Sequence, residues 1–447
     1  MKIALVCCLL GLAGCASLFG KPEESAGKPA EDPGIVVKVL ADRADPFYKC
    51  GETAIFTIKV TENDKPVTEG EVTVVLSLDG GRKIAEKTIT LGPEPATISG
   101  TLNEPGFLLC TATLEVGEED YSGCIASPFE PERIKPAAIL PDDFDEFWAK
   151  GRARVDAIPM DLQLTLMPKF SNDKQETFKL SMTNIDNTRI YGWLSIPKDK
   201  KPPYPAFVSV PGSGVGAPYE PIISESEAGA LSLVMGVHTH DLGLPDEEYG
   251  KLARGPLRHY HSIGAPDLEK YFHRRSILGI DRAIRYLTSR PDWDGEHLVY
   301  MGSSQGGGMG LVLAGLNPEF TAIAVNVPGF CDRNAWRAER GRRTAPPGDT
   351  EKERKQYEKM NDYFDAVNFA RKIHCPVIMS VGYMDRTCIP SCIYAAFNVI
   401  DAPKKMLPGP RSGHCYIPAF TKHFDPWLEG QMGRAETIPP TAEQRTE

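Results

Sequence analysis

The hydrophobic rhythm of the chain changes once, between residues 127 and 135. Before that point, short apolar–polar alternations dominate. Ala54–Val60, Glu71–Leu78, Lys87–Leu91, Ala96–Leu102 and Gly106–Val116 alternate in part with a period near two. Turn formers separate them, at Asn63-Asp64, Asp79-Gly80-Gly81, Gly92-Pro93 and Asn103 to Gly106. Short strands punctuated at this spacing predict an all-β, immunoglobulin-like sandwich over residues 35–127.

From residue 135 the pattern alternates between strand and helix. Thr188–Ile196, Tyr204–Val210, Leu231–Val237, His297–Met301, Thr321–Val327, Pro376–Met384 and Lys405–Leu407 read as strands. Between them, Arg274–Arg290 reads as an amphipathic helix with Ile277, Ile280, Ile284 and Leu287 on one stripe. Such alternation predicts a mostly parallel sheet with helices on both faces, an α/β domain over residues 135–432. Residues 333–368 interrupt it with Arg337, Arg340, Arg342 and Arg343 and then a Glu/Lys-rich run. Residues 433–447 read as a polar tail.

The N-terminus carries a different signal. Lys2 gives a short positive start, and Ile3–Leu12 is apolar but too short to span a bilayer as a helix. Leu12-Ala13-Gly14-Cys15 matches a bacterial lipobox. By that likeness residues 1–14 are a removable signal and Cys15 is the lipidated residue. Ala16 after the cysteine points to the outer membrane. Residues 15–34 are rich in Pro, Gly, Glu and Lys, which cannot bury a core and read as a tether.

Composition narrows the classes. Of 447 residues, 41% are hydrophobic and 25% charged, as in globular proteins. The net charge of −10 and the lack of a basic run argue against nucleic acid as a partner. Export permits disulfides among the eight cysteines beyond Cys15, but spacing does not dictate pairing, and isolated thiols are an equal reading.

The candidate chemistry centres on Gly302-Ser303-Ser304-Gln305-Gly306, which fits Gly-x-Ser-x-Gly. A strand-like run precedes it and a helix-like run from Gly307 to Leu316 follows. A serine on such a turn sits in strained backbone at the top of the sheet, and the amide of Gln305 can face a developing oxyanion. Serine needs a histidine base held by a carboxylate, in the chain order Ser, acid, His. His374 precedes a buried strand, and His423 lies in a helical stretch, Ala419–Leu428. His414 lies in a Gly/Pro-rich loop after a strand, where a catalytic base belongs. Asp385 is the first charge after the apolar run 376–384, at the functional edge of a parallel sheet. The expected triad is Ser304, Asp385 and His414. A second role for Asp385, as N-cap of a helix from Pro390, is compatible with it.

Gly302-Ser-Ser-Gln-Gly-Gly-Gly308, Val327-Pro-Gly-Phe-Cys-Asp332, Gly382-Tyr-Met-Asp385 with Cys388-Ile-Pro-Ser391, and Gly413-His414 together resemble the acetyl xylan esterase / cephalosporin C deacetylase family. Leu140–Trp148 resembles that family's opening helix. The resemblance spans about residues 135–430. It implies an α/β-hydrolase fold, deacetylation of acetylated saccharides such as xylan, no metal or organic cofactor, and frequent oligomers. It assigns the oxyanion hole to the amides of Gln305 and of Ser213, in Pro211-Gly212-Ser213-Gly214, and makes residues 333–368 a helical cap. One departure stands out. Where the family carries Arg-Gly-Gln-Gly, this chain has His238-Thr239-His240-Asp241. Imidazole does not replace a guanidinium fork. His238, with Gly212, is expected to support the oxyanion loop, and no third ligand is spaced to make His238 and His240 a metal site. Two other functions remain open here. One is a peptidase or other esterase of the same fold. The other is an inert, surface-bound glycan-binding lipoprotein.

Overall fold

The computed structural model describes residues 34–43, 47–215, 220–341 and 345–434. The signal segment 1–14, Cys15 and nearly all of the tether and tail lie outside the described residues.

Eight strands build the N-terminal region: β1 (Ile35–Ala41), β2 (Ala54–Glu62), β3 (Lys65–Pro66), β4 (Glu71–Leu78), β5 (Arg82–Thr90), β6 (Ala96–Gly100), β7 (Gly106–Val116) and β8 (Glu119–Phe129). They form two four-stranded antiparallel sheets, with β1, β3 and β6 on β2 in one and the order β5-β4-β7-β8 in the other. The alternating residues face inward. Phe56 and Ile58 of β2 meet Val72, Val74 and Leu76 of β4 and Leu108, Cys110 and Ala112 of β7 in one core.

The larger domain has nine strands: β9 (Gln163–Leu166), β10 (Gln175–Asn184), β11 (Thr188–Pro197), β12 (Tyr204–Val210), β13 (Leu231–Met235), β14 (Trp293–Ser303), β15 (Ala322–Asn326), β16 (Val377–Gly382) and β17 (Lys404–Gly409). Its helices are α1 (Phe144–Asp156), α2 (Ile223–Glu227), α3 (Asp246–Arg254), α4 (Phe272–Thr288), α5 (Gln305–Leu316), α6 (Glu351–Tyr363), α7 (Ala366–Ala370), α8 (Pro390–Asn398) and α9 (Pro418–Gln431). The sheet order is β17-β16-β15-β14-β12-β13-β11-β10-β9. The six strands β12 to β17 run parallel, and β9, β10 and β11 extend the sheet antiparallel. Strands β9 and β10 escaped the sequence reading; β9 is only four residues long and exposed along its whole length.

Side-chain alternation sorts the helices to the two faces. Ala206, Val208 and Val210 of β12 share a core with Ile277, Ile280 and Ile284 of α4. Phe207, Val299 and Ala322 point the other way, against Leu428 of α9. The order reverses at β12, since its neighbours are β13 on one side and β14 on the other. Loops leaving β12 and β14 therefore diverge and open a crevice at the carboxyl ends of the strands.

The sandwich packs on this domain rather than hanging from it. Phe107, Leu109 and Ala126 belong to the core of the α/β domain, while their neighbours Leu108 and Cys110 belong to the sandwich core. At the same junction the carboxylate of Asp79 accepts from Ser391 Oγ at 2.6 Å and from the amide of Gly341 at 3.3 Å.

Candidate active site

Strand β14 ends at Ser303, and α5 starts at Gln305. Between them Ser304 holds φ 57° and ψ −118°, a region that non-glycine residues rarely adopt. The two motif glycines allow the turn. A Cβ on Gly306 would sit 2.0 Å from the carbonyl oxygen of Val210, and one on Gly302 2.6 Å from that of Gly306. The helix thus rests directly on the end of β12. Backbone bonds fix the serine itself. Its N–H donates to Asn326 O at 2.9 Å, and its carbonyl accepts from Gly329 N at 2.7 Å and Gly308 N at 3.0 Å.

The structure brings Ser304, His414 and Asp385 into one line. His414 Nε2 lies 3.0 Å from Ser304 Oγ, and Nδ1 lies 2.7 Å from Asp385 Oδ2. Because a carboxylate only accepts, Nδ1 carries the proton and Nε2 is left to accept from the serine. Two loops make this meeting. Met384 N–H donates to Ser412 O at 3.0 Å. Gly382 lets the loops close, since a Cβ there would sit 2.3 Å from Gly413 O. Asp385 is buried, and its second oxygen accepts from the amides of Thr387 at 2.7 Å and Cys388 at 2.9 Å. It is not the N-cap of the helix from Pro390. That position belongs to Ile389, and Asp385 instead closes the turn before it. His374 is exposed, and His423 bonds only to Ala419 O of its own helix.

The other side of Ser304 is formed by the loop after β12. Gln305 is the first residue of α5, where a backbone amide has no intrahelical acceptor. Its side chain, also buried, donates from Nε2 to Gly212 O at 3.3 Å, bringing Gly212 and Ser213 against the elbow. His238 donates from Nε2 to Gly214 O at 2.9 Å, which ties it to this loop. Burial holds the His238 pKa down at about 4, which keeps the ring neutral near pH 7. His240 stacks beside it with centroids 5.0 Å apart. Among the described residues no third ligand joins these two histidines. The cluster with metal-ligand spacing is Asp385, Cys388 and His414, the expected acid and base with a neighbouring thiol.

Three residues at the site were given no role there by sequence reasoning. Asn326 ends the apolar strand β15, and its polar end is the clue. It donates to Ser303 Oγ at 2.8 Å and Cys415 O at 3.1 Å and accepts from Ser380 Oγ at 2.6 Å and Ile417 N at 3.1 Å. It thereby joins the elbow to the histidine loop. Tyr260 bonds to the Gln305 side chain at 2.8 Å. Cys388 has a thiol within hydrogen-bonding reach of Ser304, and burial pushes its pKa up, so it stays a thiol. Cys388 also lines a cavity of about 580 Å³ with Phe330, Arg333, Trp336, Ile389 and Cys392. Arg333 and Trp336 come from the 333–368 insertion. All eight cysteines among the described residues are free thiols.

Comparison with known proteins points one way. Residues 130–430 match the model of a family described as acetyl xylan esterase. The chain is 32% identical over 400 residues to the acetyl esterase Axe7A of Xylanibacter ruminicola, covering 88% of this chain and 90% of that protein. Among solved structures, acetyl xylan esterase 1 from a Thermoanaerobacterium species superposes with a TM-score of 0.57 at 22% identity, covering 69% of this chain and 98% of its own. An acetyl xylan esterase from a Paenibacillus species gives 0.56 at 22%, covering 67% and 98%. These structural likenesses establish the α/β-hydrolase type of fold.

Proposed function

The chain belongs to the acetyl xylan esterase family, and on that premise we propose that it is a serine esterase. It removes acetyl groups from sugar hydroxyls, as on xylan or xylo-oligosaccharides, through an acyl-enzyme. The observation that carries this reading is the unbroken line from Ser304 Oγ through His414 to Asp385.

In the first half-reaction Ser304 Oγ attacks the ester carbonyl while His414 Nε2 takes its proton. The amides of Gln305 and Ser213 receive the oxyanion, and Asp385 holds the imidazolium. The C–O bond to the sugar then breaks, and His414 gives its proton to the departing sugar oxygen. Water enters, loses a proton to His414 and attacks the acyl carbon. Acetate leaves and Ser304 is restored. The 580 Å³ cavity that Cys388 lines has room for far more than an acetyl group, which suits a saccharide. Its wall from the 333–368 insertion supports the cap role.

The test is acetate release from acetylated xylo-oligosaccharides, with Ser304→Ala alongside. The variant is expected to lose at least about a thousandfold. Wild-type inactivity on the sugars with retained cleavage of an activated acetate ester overturns the substrate and keeps the chemistry.

The location proposed for this activity is the outer membrane, through a lipid on Cys15. Replacing Cys15 with Ala should release the protein from the membrane fraction, and an unchanged distribution removes this part of the reading.

A further inference from the structure

The loop that offers the second oxyanion amide is held from two sides, and one side ends at a single hydroxyl. Tyr260 is buried, in a short turn (Tyr260–Ser262) ahead of α4. Its hydroxyl donates to Gln305 Oε1 at 2.8 Å and accepts from Gly214 N–H at 3.2 Å. These directions are forced, because a carbonyl oxygen cannot donate and an amide N–H cannot accept. With Oε1 committed to Tyr260, the Nε2 of Gln305 is turned toward Gly212 O, 3.3 Å away. On the far side, His238 Nε2 donates to Gly214 O at 2.9 Å. The ring of His238 also stands edge to face on Tyr260, with centroids 4.6 Å apart.

Peptide planarity turns these bonds into aim. The carbonyl of Gly212 and the N–H of Ser213 belong to one trans peptide unit and point in opposite directions. Holding that carbonyl on Gln305 therefore sets the direction of the Ser213 N–H. Holding both backbone groups of Gly214 blocks rotation from the other end.

We propose that Tyr260 is a positioning residue of the oxyanion hole. Its hydroxyl locks the Gln305 side-chain amide, which fixes the peptide plane that aims the Ser213 N–H at the developing charge. Gln305 then serves twice, once through its backbone amide and once through its side chain. The inference rests on the roles given above to Ser304, Gln305 and Ser213. Tyr260 touches no reacting atom and acts through geometry alone.

A donor aimed at the oxyanion stabilises the transition state more than the bound ester, so misaiming it lowers kcat and spares KM. In Tyr260→Phe, kcat for an activated acetate ester should fall about ten- to a hundredfold, less than deleting a donor outright. KM should stay within about twofold. Affinity for a trifluoromethyl ketone, which forms an oxyanion on adding to Ser304, should fall in the same proportion as kcat. The double variant Tyr260→Phe/Gln305→Ala should lose no more than Gln305→Ala alone, since both act along one path. An unchanged kcat in Tyr260→Phe, with Ser304→Ala inactive, overturns this inference and leaves the esterase reading standing. A fall in kcat that comes with a lowered melting temperature and unchanged ketone affinity also overturns it. An active Ser304→Ala overturns the esterase reading and this inference with it.

Discussion

The ring of Phe107, from the N-terminal sandwich, lies 5.2 Å from the ring of Tyr383, centroid to centroid. Tyr383 stands two residues before Asp385. Both rings are fully buried. Around them Arg386 donates to Thr111 Oγ1 at 2.9 Å, and Phe107 also meets Tyr394 of α8 at 5.7 Å. The segment on either side of Asp385 is thus held by the sandwich as well as by its own sheet. The sandwich is therefore a packing partner of the larger domain.

Truncating that ring should therefore be felt in both domains. Phe107→Ala is expected to cost about 3–5 kcal/mol, the range for emptying a buried aromatic site. Urea unfolding followed by fluorescence checks it. A wild-type midpoint would mean that the junction contributes nothing to stability.

Asp385→Asn keeps the shape of the side chain but gives His414 a neutral partner that can present either tautomer's complement. The expected result is a drop in kcat of about ten-thousandfold with unchanged circular dichroism, by analogy with the same exchange in a serine protease. Initial rates of acetate release decide it, and retained activity would move the acid elsewhere.

Gly306→Ala tests the close packing of the elbow. The added methyl would meet the Val210 carbonyl oxygen at 2.0 Å, so α5 has to leave β12. Loss of soluble, folded protein is expected. Gly92→Ala is the control, because a Cβ there meets nothing within 4 Å. It should be neutral or stabilise by up to about 1 kcal/mol.

Stability should fall as pH falls from 6.5 toward 4. Burial lowers the pKa of His238 and of His261 to about 4, and that of His273 well below 6.5. The unfolded chain binds these protons near pH 6.5, so the stabilisation from neutral burial is full above 6.5 and is lost as pH drops through the folded values. Asp79 works in the opposite sense. Burial raises it to about 6, so its contribution is full below 3.8 and lost as pH rises through 6. Burial raises Asp332 as well, and Asp365 to about 8, while it lowers His240 like the other three histidines, so four histidines stand against three carboxylates and the expected balance is a net loss in acid. Urea midpoints at pH 7.5 and 5 measure it, and His261→Gln should flatten the slope. Equal midpoints in the wild type would contradict the sign.

Much of this site was legible because its parts are local. The elbow is five consecutive residues between a strand and a helix, and both neighbours announce themselves by their own periodicity. Asp385 and His414 were found because loops after parallel strands converge at one sheet edge, whatever the details of packing. Strand β7 shows where that reading stopped. Phe107, Leu108 and Leu109 form an apolar run, the mark of a strand covered on both faces. The run itself names no partner for either face. The partner of Phe107 lies at Tyr383, and contacts across such separations leave no period in the sequence.

The amino-acid sequence alone determined the fold class, the nucleophile's turn and the order of the triad, because backbone preferences and hydrophobic periods act over a few residues. Only the tertiary structure decided that Ser304, His414 and Asp385 meet within hydrogen-bonding distance. It alone joined Tyr260 to Gln305, 45 positions away in the chain, and set the sandwich against the acid-bearing loop. Those relationships depend on which loops and faces come together once the sheet has formed, and burial selects such partners by shape and unmet hydrogen bonds rather than by position in the chain.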